Sequence, residues 1–217
     1  MVTLQTIEPF HYNVLAIALV AWCALHSLMI TPVVTDYLKS RLKDKYRYFR
    51  LSFNLIAIVT LIPVALFAFA LRTDSLFSWH GYWRIVQVLC LGVALILFLR
   101  GARHYDARQF FGIAQIQDRN TSKAIGASGK LETSGVLNVV RHPWYVGGIL
   151  LIWARPLDIS AIVVNSVFTA YFIVGSYLEE RKLISEYGES YIAYQKQVSM
   201  LIPYKWLLAK IKAADEK

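Results

Sequence analysis

Five apolar runs, at residues 10–30, 51–71, 83–99, 144–154 and 159–178, constrain this chain more than any motif does. A helix of about 20 apolar residues crosses roughly 30 Å of hydrocarbon and pairs its own backbone N–H and C=O groups where no water can. The expected fold class is therefore all-α, a polytopic membrane helical bundle of about five transmembrane helices with a C-terminal helical hairpin and a cytoplasmic amphipathic helix. The 144–154 run is too short to span alone and is expected to borrow protein-lined depth at its His142 end. Composition agrees: 57% of the 217 residues are hydrophobic and the mean hydropathy is +0.45, beyond the usual apolar share of a soluble domain.

The charges are distributed as a membrane would require. Lys39, Arg41, Lys43, Lys45, Arg47 and Arg50 fill the first connection, and Arg100, Arg103, Arg108, Arg119, Lys123, Lys130 and Arg141 fill the third. The N-terminus and the second and fourth connections hold few or none. With positive residues retained inside, five spans place the N-terminus outside and the C-terminus in the cytoplasm. The net charge of +9 is thus explained by membrane-flanking loops facing lipid headgroups, and a nucleic-acid partner is not expected. Cys23 and Cys90 fall within apolar runs, so neither a disulfide framework nor a metal site is expected. The first run follows acidic Glu8 rather than a basic segment, and is read as a retained span, not a signal peptide.

Against this apolar background, polar groups gather at the ends of the last two runs. Arg141-His142-Pro143-Trp144-Tyr145-Val146-Gly147 opens one, and Glu179-Glu180-Arg181-Lys182 closes the other. Pro143 suits a first helical turn, where its missing N–H would have no partner anyway, so His142 sits at the mouth of that helix. The Arg155-Pro156-Leu157-Asp158 turn makes the two runs an antiparallel hairpin and brings His142, Tyr145 and Glu179 toward one pocket. Ionisable groups at such positions are functional by default. Tyr187, Tyr191 and Tyr194 recur at helical spacing with Ile184 and Val198 and read as a packing or interfacial stripe. His26-Ser27 inside the first span reads as a histidine satisfied by a neighbouring helix. Gly126-x-x-Gly129 marks a loop, since no βαβ unit surrounds it.

The ordered string Thr133-Ser134-Gly135-Val136, Arg141-His142-Pro143-x-Tyr145-x-Gly147, Glu179-Glu180 and Tyr187-Gly188-x-x-Tyr191-x-x-Tyr194-x-x-x-Val198 resembles the isoprenylcysteine carboxyl methyltransferase superfamily of integral-membrane enzymes. The match covers roughly residues 110 to 204, and a multi-part match is more specific than a single motif. Trp153-Ala154-x-Pro156, Thr169-Ala170-Tyr171 and Leu178-Glu179-Glu180-Arg181 are similar to the bacterial membrane thiol S-methyltransferases of that superfamily. The resemblance implies a methyltransferase using S-adenosylmethionine. It implies cofactor contacts from Gly129, Lys130, Leu131 and Glu132, just before Thr133, and from Gln115. With it, Arg141, His142 and Glu179 become the charges that meet the cofactor's zwitterionic end, and Tyr145 a hydrogen-bond donor to it. Residues 1–100 then form an N-terminal three-span region, and 101–217 the cofactor-binding loop, the hairpin and the C-terminal helix, together one integrated domain.

Methyl transfer is an in-line displacement that needs alignment and a deprotonated acceptor rather than a covalent enzyme intermediate. No GxSxG elbow, P-loop or HExxH interrupts that reading. The isoprenylcysteine enzymes carry an arginine one helical turn before the glutamate, suited to a substrate carboxylate. Gly175 stands there in this chain, with Ser176 next, and Leu137 replaces a family tyrosine. The expected acceptor is a small or lipophilic molecule such as a thiol. An isoprenylcysteine-type carboxyl methyltransferase stays open as an alternative. So do a redox or haem-associated protein using His26, His104 and His142, and a scaffold binding membrane lipids.

Overall fold

The computed structural model describes residues 8–103, 108, 111–117 and 131–215. Among these, helix α1 runs Pro9–Met29, α2 Pro32–Leu42, α3 Phe49–Ala70, α4 Trp83–Ala102, α5 Ile113–Gln117, α6 Pro143–Trp153, α7 Ile159–Tyr187, α8 Glu189–Gln197 and α9 Tyr204–Asp215. The all-α expectation is borne out. Four helical stretches are long and apolar enough to cross a membrane: Pro9–Met29, Pro32–Ala70, Trp83–Ala102 and Ile159–Tyr187. The fourth apolar run forms only the shorter α6, because the Arg155-Pro156 turn ends it. Leu55, Ile58, Leu66 and Phe69 of α3 stand exposed, as side chains facing lipid rather than a core would.

Local sequence sets the helix ends. Prolines occupy the first turns of α1, α2 and α6. The Thr31 hydroxyl accepts from the Val34 N–H at 3.4 Å to cap α2, and the Asp158 carboxylate accepts from the Ala161 N–H at 2.6 Å to cap α7. Gly188, at φ +54°, makes the left-handed turn between α7 and α8.

The chain forms two compact units. One comprises residues 1–78, 108–122 and 156–168; the other comprises 79–107, 123–155 and 169–217. In the first, Leu15, Leu19 and Leu71 form a core with Val64, Phe67, Val164 and Phe168 around it. His26 packs there between Trp22 and Phe53, with ring centroids 5.1 and 4.8 Å away. The Ser160 hydroxyl donates to the Ala68 carbonyl at 2.7 Å.

In the second unit α4 and α6 meet where neither has a side chain to spare. A Cβ on Gly147 would lie 3.3 Å from the Phe98 ring and 3.4 Å from the Ala94 carbonyl, and one on Gly101 would land inside the Trp144 indole. The hairpin of α6 with the second part of α7 is antiparallel, as the turn predicted. Trp153 donates to the Thr169 hydroxyl at 2.9 Å near the turn, Gly148 faces Phe172 in the middle, and His142 meets Glu179 and Glu180 at the far end.

Candidate functional site

His142 is the N-cap of α6, with Pro143 at the first helical position. A single parallel bridge joins Val140 to Ser199. Through it the Arg141 N–H donates to the Ser199 carbonyl at 3.0 Å and the His142 N–H to the Met200 carbonyl at 3.2 Å. The motif backbone is therefore fastened to the segment that leaves α8.

Glu180, only 6% exposed, is the hub of the side-chain cluster. Arg141 Nε and Nη2 each approach its Oε1 at 2.6 Å, and Gln195 Nε2 donates to its Oε2 at 2.7 Å. Arg141 Nη1 donates to the carbonyls of Gln195 and Val198. Each nitrogen of the guanidinium is thus engaged. Burial alone disfavours the Glu180 carboxylate; the hydrogen bonds from His142, Arg141 and Gln195 and the arginine charge offset that cost.

His142 lies between two carboxylates. Its Nε2 is 3.3 Å from Glu180 Oε1, and since a carboxylate only accepts, the proton of a neutral imidazole is assigned to Nε2. Its Nδ1 then presents a lone pair 3.6 Å from Glu179 Oε2. Glu179, with 41% of its side chain exposed, is the open member of the pair. The His142 ring stacks on Tyr145 at 5.5 Å, and Tyr145 stacks on Phe172 at 5.6 Å. The Tyr145 hydroxyl points toward Gly175, where a Cβ would sit 3.8 Å away.

The structure thus brings together Arg141, His142, Tyr145 and Glu179 from the sequence-derived set. Leu131 packs beside Tyr191, Tyr194 and Val198 and lines a cleft of about 530 Å³ with Thr133, Tyr187, Ser190, Ala193, Tyr194 and Gln197. The Glu132 carboxylate accepts from the Ser134 N–H at 3.0 Å. Gln115 sits half-buried on α5, in the first unit. Gly129 and Lys130 lie outside the described residues, as do His104 and Gly126. Among the described residues no group of three or more His, Cys, Asp or Glu side chains could hold a metal ion.

Sequence reasoning missed the part played by Glu180 and Gln195. The signal for Glu180 was helical phase: Thr169, Phe172 and Ser176 mark the face of α7 turned to α6, and Glu180 follows one turn after Ser176. Gln195 had no such signal, because its contact depends on how α8 folds back. The tyrosine stripe packs as expected: Tyr191 and Tyr194 are buried with Val198, and the Tyr194 hydroxyl donates to the Leu137 carbonyl.

Fold and site together define a multi-pass helical membrane protein with an ion-paired polar cluster at one end of a helical hairpin. Known proteins resemble the chain in sequence. The chain is 35% identical over 137 residues to methanethiol S-methyltransferase of Pseudomonas deceptionensis, a match covering 61% of this chain and 50% of the relative. It is 42% identical over 76 residues to methanethiol S-methyltransferase of Crocosphaera subtropica, covering 35% of this chain and 30% of that one. Protein-S-isoprenylcysteine O-methyltransferase of Schizosaccharomyces pombe is 32% identical over 121 residues, 53% of this chain and 46% of the relative. The resemblance to the isoprenylcysteine carboxyl methyltransferase superfamily is thereby borne out. The chain spans at most about half the length of these relatives. No protein-family model matches it, and no solved structure matches it significantly.

Proposed function

We propose that this chain is an integral-membrane S-adenosylmethionine-dependent methyltransferase whose acceptor is a small or lipophilic thiol. The observation that carries the cofactor is the approach of an open carboxylate, Glu179, to His142 Nδ1 at 3.6 Å. Two acceptors at that spacing suit the α-ammonium of an amino acid. His142, Tyr145 and Glu179 meet the cofactor directly in this reading. Arg141, each of its nitrogens already engaged, serves it by holding Glu180 and hence the His142 ring. Gly129, Lys130, Leu131 and Glu132 complete the proposed contacts, and the cleft beside Leu131 has the volume of a small-molecule site.

Bound there, S-adenosylmethionine would supply an electrophilic methyl group on a sulfonium. The residues around it need only orient the acceptor sulfur in line and exclude water. Gly175 supports the choice of acceptor. It leaves bare backbone beside the Tyr145 hydroxyl where a carboxylate-clamping arginine would otherwise intrude. Relatives bearing the name methanethiol S-methyltransferase favour the same class. The isoprenylcysteine reading keeps its relative in fission yeast but lacks that arginine. In this account the site lies on the cytoplasmic side, where S-adenosylmethionine is made. Purified protein in detergent should methylate members of a thiol panel and leave prenylcysteine carboxylates unmodified. Failure with every thiol would sink the acceptor assignment.

A further inference from the structure

Helix α9, Tyr204–Asp215, is left unexplained by methyl transfer. At 100° per residue Tyr204, Leu207, Leu208 and Ile211 fall on one face. They are 52%, 47%, 53% and 57% exposed, so among the described residues no other part of the chain covers that face. Lys205 and Lys212 border it on one side and Lys210 on the other. An apolar stripe edged by lysines is what a helix lying in a bilayer interface requires: the stripe enters the acyl boundary and the ammonium groups reach the headgroups.

The first turn of α9 is rigidly held. The Lys205 N–H donates to the Ser199 hydroxyl at 3.1 Å, and Lys205 Nζ donates to the carbonyls of Gln195 at 2.7 Å and Lys196 at 3.1 Å. Beyond that root the helix is exposed along its length. Gln195 is also the residue whose side chain holds Glu180. The root of α9 therefore joins the cluster around His142.

We propose that α9 is an interfacial anchor whose partner is the anionic surface of the membrane the chain spans. Charge complementarity selects that occupant: beyond the root, which Lys205 holds, Lys210 and Lys212 edge the stripe, and the one acidic side chain of the helix, Asp215, lies at its last residue. Each lysine near an anionic surface favours the docked state about fivefold. The proposal rests on the membrane reading and not on methyl transfer.

The test uses full-length protein in nanodiscs, with Cys23→Ala and Cys90→Ala and a nitroxide at Leu208→Cys or, on the opposite face, Ala209→Cys. In phosphatidylcholine with phosphatidylglycerol, oxygen should relax the 208 label and a water-soluble nickel chelate the 209 label. Adding Lys210→Gln and Lys212→Gln should weaken docking about 25-fold. Equal nickel access at both positions in anionic discs would overturn the proposal. So would 208 burial that is unchanged in phosphatidylcholine alone, or protection of the 208 label in detergent by a second copy of the chain.

Discussion

Glu180→Gln isolates the buried ion pair with the least change of shape. It keeps the side-chain length and one acceptor oxygen, and removes the charge opposite Arg141, whose side chain is 8% exposed. Removing one partner of a buried pair costs about 3–5 kcal/mol, chiefly because the other charge is left uncompensated. Arg141 retains the carbonyls of Gln195 and Val198, so the lower end, about 3 kcal/mol, applies. In a chain of this size 1 kcal/mol moves Tm by about 2–4 °C, and the midpoint in detergent should fall by about 6–12 °C. Glu179→Gln is the internal control. Its side chain is 41% exposed and 3.6 Å from His142, and screening should keep its shift within about 2 °C. Differential scanning fluorimetry of both variants beside wild type decides the matter. Equal shifts, or a Glu180→Gln midpoint within about 2 °C of wild type, would refute the view that Glu180 compensates a buried cation.

Two further outcomes follow from the same packing. Gly101→Ala drives a Cβ into the Trp144 indole, whereas Gly92→Ala on the same helix meets nothing within 4 Å. The first should cost about 1–3 kcal/mol of stability and the second none, read as Tm in one detergent.

Much of this architecture was legible in the sequence because hydropathy and punctuation report it directly. The run at 10–30 became Pro9–Met29, the run at 51–71 became Phe49–Ala70, and Pro143 opened α6 with His142 as its cap. The tight turn at Arg155 to Asp158 predicted the antiparallel meeting of His142 with the glutamates. Less legible were the features that depend on long-range placement. Helix α7 runs on to Tyr187, beyond the apolar run that ends at Leu178, because its polar turns go on packing rather than fraying. The bridge between Val140 and Ser199 has no alternating pattern to announce it. Which of two adjacent glutamates turns inward follows from the phase of their own helix once the face it turns to α6 is known. Glu180 is buried against Arg141, and Glu179 stays open.

The central claim is a pocket for S-adenosylmethionine at His142 and Glu179, and the most direct measurement is calorimetric titration of S-adenosylhomocysteine into detergent-purified protein. Wild type is compared with His142→Ala and Glu179→Ala, each checked for folding by its melting profile. The account predicts saturable binding by wild type that is lost in both folded variants. Folded wild-type protein that takes up none, or variants that bind as wild type does, would contradict it.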